Sequence, residues 1–279
     1  MPLALITGAS TGIGRATALR LARGGWTVLA GVRDPAAGES LAQEAAAGRV
    51  VPVELDVTDP AQIAAAAELV REQTADGRLD ALVNNAGIGL GGPLELISPE
   101  DLRRQFDVNV FAQIAVTQAL LPSLRQAQGR IVFISSIGGR VAMAFTAPYA
   151  ASKHALEAFG DALRVELHTS HVQVALIEPG SVATPIWDKS RVEADRVSVP
   201  PELQAQYGHV PAAMDKVLED TARRGVPPEQ VAATIERALT APRMRARYVV
   251  GRDAKAMLIA KRLLPDLVFD RLARRVLGV

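Results

Sequence analysis

The 279-residue sequence contains no cysteine, which excludes a disulfide framework, a thiolate nucleophile and any cysteine-ligated metal, and permits a reducing cytoplasm. Histidine is scarce. Of His154, His168, His171 and His209, only 168 and 171 stand close together, and no carboxylate or third histidine lies at a telling spacing, so no metal is expected. An excess of one charge is missing too: 31 Lys and Arg against 30 Asp and Glu give no electrostatic reason to expect nucleic acid as a partner. Nor is there a long hydrophobic run. The longest uncharged stretch, VNVFAQIAVTQALLPSL over 108–124, carries Asn, Gln and Pro and falls short of the roughly 20 apolar residues of a membrane span, so it reads as a buried helix. Met1-Pro2 leads straight into LALIT without the basic flank, apolar core and cleavage site of a signal peptide; a cytoplasmic location is expected. No internal repeat and no low-complexity linker stands out, apart from the alanine-rich 61–67.

What is present is apolar. Hydrophobic residues make up 49% of the chain against 22% charged, enough for a sizeable core. Seven short runs have strand character: 3–7, 26–32, 50–55, 79–84, 130–135, 172–178 and 247–250. They lack polar alternation and are separated by helix-like stretches, as expected of strands buried on both faces and joined by crossover helices. The expected fold is α/β: one domain over 1–279, a doubly wound seven-stranded parallel sheet with helices on both faces. Ser98-Pro99-Glu100 marks a helix start, and Gly24-Gly25 and Gly77 are read as closing two earlier helices. Residues 181–226 lack a strand-like run and contain Pro185, Pro200, Pro201 and Pro211, so they form an excursion from the core.

LITGASTGIGRATALRLA reads as a strand, a tight turn with Gly8, Gly12 and Gly14, then a helix. Such a turn lets backbone amides and a helix N-terminus approach a pyrophosphate. Its G-x-x-x-G-x-G spacing resembles the short-chain dehydrogenase/reductase family, and the resemblance continues, in the family's order, through LDVTD, NNAG, VNVF, ISS, YAASK and PGSVAT, up to about residue 185. It implies a Rossmann fold and an NAD(P)-dependent oxidoreductase.

By the resemblance, the cofactor would lie on the turn (Gly8, Ser10, Thr11, Gly12, Ile13, Gly14), on Asp56 and Val57 at the adenine, and on Asn85, Ala86 and Gly87. Pro179, Gly180, Val182 and Thr184 would pack on the nicotinamide. Where an acid would hold the ribose hydroxyls stands Val32, followed by Arg33, which favours NADP with NAD left possible; Ser10 and Arg15 are further phosphate candidates.

Tyr149 and Lys153 lie four residues apart, on one face if 147–165 is a helix. A nearby ammonium would lower the phenol's pKa towards the operating pH and fit it to exchange a proton with an alcohol or carbonyl oxygen. The family's offset of 13 residues selects Ser136, rather than Ser135, as the hydroxyl at the same oxygen. Asn109 would hold a water that links Lys153 to solvent, and both Tyr149 and Lys153 would also touch the cofactor.

Apolar residues of the excursion (Ile186, Trp187, Val192, Val197, Val199, Leu203, Tyr207, Val210, Met214, Leu218), with Ile88, Met143 and Phe145, could line a pocket or be simple core. The sequence looks most like the hydroxysteroid and retinol dehydrogenase branch, so the expected substrate is a small hydrophobic secondary alcohol or ketone. A non-catalytic NADP-binding regulatory protein of the same fold is the alternative; lyase or epimerase chemistry stands further off. The tail, 252–279, holds seven basic residues and three acids, with Leu263, Leu264, Leu267, Val268, Leu272 and Val276 at helical spacing. That stripe could pack on the pocket, join subunits of a homo-oligomer or touch an anionic membrane; no transmembrane span is expected.

Overall fold

The computed structural model describes residues 1–45, 49–184 and 199–277. Its strands are β1 (Leu3–Ile6), β2 (Thr27–Val32), β3 (Val50–Glu54), β4 (Ala81–Asn84), β5 (Arg130–Ile134), β6 (Gln173–Pro179) and β7 (Arg247–Val250). All seven fall within the runs expected from the sequence, apart from the last residue of β6. Every pairing is parallel and the sheet order is β3-β2-β1-β4-β5-β6-β7.

The apolar strands bury both faces. In β1, Ala4 and Ile6 enter one core while Leu3 and Leu5 enter the other, as successive side chains of a strand must. The first core is closed by α1 (Gly12–Arg23), α2 (Pro35–Glu44) and α8 (Pro228–Thr240) through Leu19, Leu41 and Ile235. The second is closed by α3 (Pro60–Glu72), α5 (Ala112–Ala127) and α6 (Ala147–Glu166) through Ile63, Leu120 and Leu156. The sheet is therefore doubly wound, with one layer of helices on each face.

Two sequence readings need correction. Gly77 takes φ +66, but α3 ends at Glu72 and Gly77 belongs to the turn after it. Asn109 does not sit in mid α-helix: α4 (Pro99–Phe106) runs into a π-helical turn over Asp107–Phe111, where the Ala112 amide reaches Asp107 O, before α5 begins. In the excursion, α7 (Val210–Arg224) precedes α8, and Val182 bridges Val226 in parallel. Ile186, Trp187, Val192 and Val197 lie outside the described residues. Two further helices, α9 (Arg252–Leu263) and α10 (Asp266–Leu277), form the tail; the side chain of Val276 lies outside the described part. Among the described residues, no helix is long and apolar enough to cross a membrane.

Candidate active site

The sheet order reverses between β1 and β4, and at their carboxyl ends opens a cleft of about 410 Å³. A crevice at such a switch point is where open α/β sheets take ligands. Gly8, Ser10, Thr11, Gly12 and Ile13 form one wall. Arg33, Asp56 and Val57 form the β2–β3 side, and Asn85, Ala86, Gly87 and Thr184 complete it. Sequence reasoning had not placed Leu55, Thr58, Arg104, Asp107 or Val108 here; Arg104 and Asp107 reach it because α4 ends at the cleft.

The turn fits a dinucleotide. Gly8 has φ +65, and a Cβ there would lie 2.9 Å from Ala86 Cα. One on Gly14 would lie 2.4 Å from Gly8 O, so only glycine lets α1 approach β1 this closely. Asp34, Asp59 and Ser98 cap α2, α3 and α4 by accepting amide hydrogen bonds, whereas Thr11 makes no such bond at α1 and no acid stands in that helix's first turn. The amides at the α1 N-terminus are left for an anion. Asn85 braces the turn, its Nδ2 donating to Thr7 O at 2.9 Å and to Gly8 O at 3.0 Å.

On the β2–β3 side of the cleft, Val32 is buried and Arg33 is exposed. The next acid, Asp34, is engaged as the α2 cap, accepting from Ala36 N at 3.0 Å. Arg15 pairs with Glu44 rather than facing the cleft. Burial raises the pKa of Asp56, but hydrogen bonds from Thr58 and the charge of Arg33 outweigh it and hold the carboxyl below its usual range.

Ser136, Tyr149 and Lys153 converge from β5 and α6. Ser136 follows β5 and its Oγ accepts from Gly138 N at 3.0 Å. A Cβ on Gly138 would lie 3.4 Å from that Oγ and 3.2 Å from Tyr149 Cε1, so hydroxyl and ring flank the same glycine. Burial raises the phenol's pKa, and a hydrogen bond with Ser136 offsets part of the rise. This departs from the expectation that lysine would lower it. Lys153 Nζ lies 5.8 Å from the Tyr149 ring centroid and donates to Ile134 O at 2.9 Å. Burial brings the ammonium down to about 8, with the charge of Glu157 opposing the fall. Ser135 is turned away, its Oγ next to Gly139 and Glu157.

Asn109 is fully buried and both ends of its side chain are engaged: Oδ1 accepts from Ile88 N at 2.8 Å, while Nδ2 donates to Ile88 O at 2.9 Å and to Ser152 Oγ at 3.1 Å. Gln105 bonds Leu90 N and Ile88 O, and Gln113 donates to Ala86 O. These three polar residues, each four apart in a mostly apolar stretch, grip the loop leaving β4. Sequence reasoning used only Asn109, although the regular spacing of buried amides was a signal for all three.

Among the described residues after β6, only Thr184 reaches the cleft. Gly180 donates to Val250 O at 2.8 Å, and a Cβ there would lie 2.4 Å from Asp253 Oδ2; Val182 is buried in its bridge to Val226. Pro179, Gly180 and Val182 thus fix the course of the segment rather than line the cavity. Among the proposed pocket residues, Met214 and Phe145 meet over Gly91, where a Cβ would lie 2.5 Å from Met214 Cε and 3.0 Å from Phe145 O.

A parallel doubly wound sheet with a glycine-turn cleft at its switch point, and a serine, tyrosine and lysine beside it, defines a nicotinamide-dependent oxidoreductase acting on CH–OH groups. Residues 2–195 match the short chain dehydrogenase family. The chain is 40% identical to retinol dehydrogenase 5 of Mus musculus, over 95% of this chain and 85% of that one. It is 35% identical to the NADPH-dependent 3-dehydrocapnine reductase of Ornithobacterium rhinotracheale, over 98% and 96%. Among solved structures, a short chain dehydrogenase/reductase from Burkholderia phymatum in complex with NAD superposes with a TM-score of 0.78 at 28% identity, covering 94% of this chain and 92% of that one. The protein belongs to the short-chain dehydrogenase/reductase family.

Proposed function

We propose that the protein transfers hydride between NADP(H) and a hydrophobic secondary alcohol or ketone. The observation that carries this reading is the approach of Ser136 and Tyr149 to one glycine, with Lys153 one turn along the same helix, beside the dinucleotide cleft. The nicotinamide, when bound, gives or takes the hydride. The chain must then handle the proton. Tyr149 donates it to the carbonyl oxygen in reduction and accepts it from the alcohol in oxidation. Ser136 hydrogen-bonds the same oxygen and orients it. With its pKa raised, the phenol stays protonated at neutral pH, which suits it to the donor's part. Lys153 holds a positive charge next to the tyrosinate left behind. Since the Asn109 side chain is committed to Ile88 and Ser152, a relay water there would bind its main-chain carbonyl.

Three features favour NADP over NAD: Val32 offers no acid, Asp34 is engaged as a helix cap, and the exposed Arg33 stands ready for a 2′-phosphate. The NADPH-dependent relative agrees with this reading. The half-buried Met143, Phe145 and Met214, the last two of which meet over Gly91, together with likeness to a retinol dehydrogenase, support an apolar substrate.

The test is nicotinamide absorbance with NADP(H) and NAD(H) across steroids, retinoids and aliphatic ketones. Turnover is expected with at least one apolar carbonyl, with kcat/KM higher by about tenfold or more for NADPH. A preference for NADH would overturn the assignment to Arg33, and silence across the panel would overturn the substrate class.

A further inference from the structure

The tail is a helix–corner–helix hairpin in which α9 packs beside β7 and Ala254 and Phe269 are buried, with Lys261 Nζ 5.1 Å from the Phe269 ring and ion-paired to Asp266 across the corner. Its outer side is apolar. Ile259 is 59% exposed, Leu263 and Leu267 73%, Leu272 44% and Val268 38%. Exposed apolar side chains gathered at one place are uncommon on a surface that meets only water.

Their spacing relates them to charge. Along α9, Arg252, Lys255, Ile259 and Leu263 follow one another at steps of three or four residues and share a face; Val268, Leu272 and Arg275 do so along α10. Arg252, Lys255 and Arg275 meet at the base of the hairpin, where with Lys216 and Arg224 of α7 they line an open groove. The two acids in that groove are engaged, Asp253 by Ser181 N at 2.7 Å and Asp220 by Arg223 at 3.1 Å. One side of the hairpin is thus cationic at its base and apolar at its tip. Residues 252–279 carry seven basic and three acidic groups, a net +4, so the rest of a chain with net +1 carries −3.

We propose that this hairpin docks the protein on an anionic phospholipid surface, with the leucines of its tip among the acyl chains and the groove cations at the headgroup phosphates. The charge segregation selects the occupant. An anionic surface attracts the tail, repels the body and so orients the molecule. The reaction plays no part in this argument.

The test is co-sedimentation of the full chain with vesicles of roughly three parts phosphatidylcholine to one part phosphatidylglycerol at about 0.05 M salt. The protein is expected in the pellet, with at least a tenfold smaller bound-to-free ratio at about 0.5 M salt or on pure phosphatidylcholine. The variant L263E/L267E changes only exposed positions. It should keep its thermal midpoint within about 2 °C and lose vesicle binding. Wild-type protein left in the supernatant, or a double variant that sediments like wild type, would overturn the proposal. A dimer in gel filtration that this variant breaks, without vesicle binding by either protein, would assign the face to a second copy instead.

Discussion

Lys153 stands where stability and chemistry conflict. Its ammonium is buried beside Tyr149 and donates a hydrogen bond to Ile134 O, and its pKa falls from 10.5 to about 8. A lysine with a lowered folded-state pKa adds its full stability only above the unfolded value. That contribution is lost as pH falls towards about 8, at a cost on the order of 3 kcal/mol at neutral pH. Lys153→Met should therefore abolish turnover and yet unfold at a higher temperature than wild type at pH 7. The gap should narrow as the pH rises from 8 to 10, which calorimetry across that range would check. At this scale the sequence was a good guide to which residues meet and a poor one to their electrostatics. Tyr149 and Lys153 could be paired by helical spacing and Ser136 chosen by the family resemblance, but the pKa of Tyr149 depends on burial, which neither contains. Arg15 likewise looks like a phosphate ligand until Glu44, 29 residues on, is seen beside it.

Among the elements, α1 is the helix whose uncapped N-terminus opens on the cleft. Asp34, Asp59 and Ser98 satisfy the first turns of their helices, while Thr11 leaves the first turn of α1 open beside the cleft. Close packing there depends on Gly14. Gly14→Ala would press a methyl onto Gly8 O and Asn85 Nδ2, which lie 2.4 and 2.5 Å from the new carbon. The variant should lose about 1–3 kcal/mol of stability, and its thermal midpoint should no longer respond to added NADPH, whereas the wild-type midpoint is expected to rise. Strands and capped helices were legible because periodicity and cap residues are local signals. The π-helical turn at Asp107–Phe111 was not, since it arises from how Gln105, Asn109 and Gln113 hold the loop after β4. The outward face of the tail was equally hidden. Helical spacing marks a stripe of leucines without saying whether it turns to the core or to the outside.

Across the whole molecule, the fold brings together groups that are far apart in the chain. The glycine turn after β1, the amides of Asn85 to Gly87 after β4, the serine after β5 and the paired residues of α6 all arrive at the carboxyl edge of one sheet. Parallel strands make this unavoidable, because every crossover returns the chain to the opposite edge and leaves the strand ends together. That much followed from seven apolar runs and their order. Whether the apolar residues of 181–226 line a pocket did not, because they show no periodicity tied to the sheet. In the proposed reaction Tyr149 moves the proton that accompanies the hydride. The most direct measurement compares wild type with Tyr149→Phe, in turnover of an apolar carbonyl and in NADPH binding by fluorescence titration. The variant is predicted to lose about 100- to 10,000-fold in kcat while its affinity for NADPH stays within about threefold. Undiminished turnover in Tyr149→Phe would contradict the account.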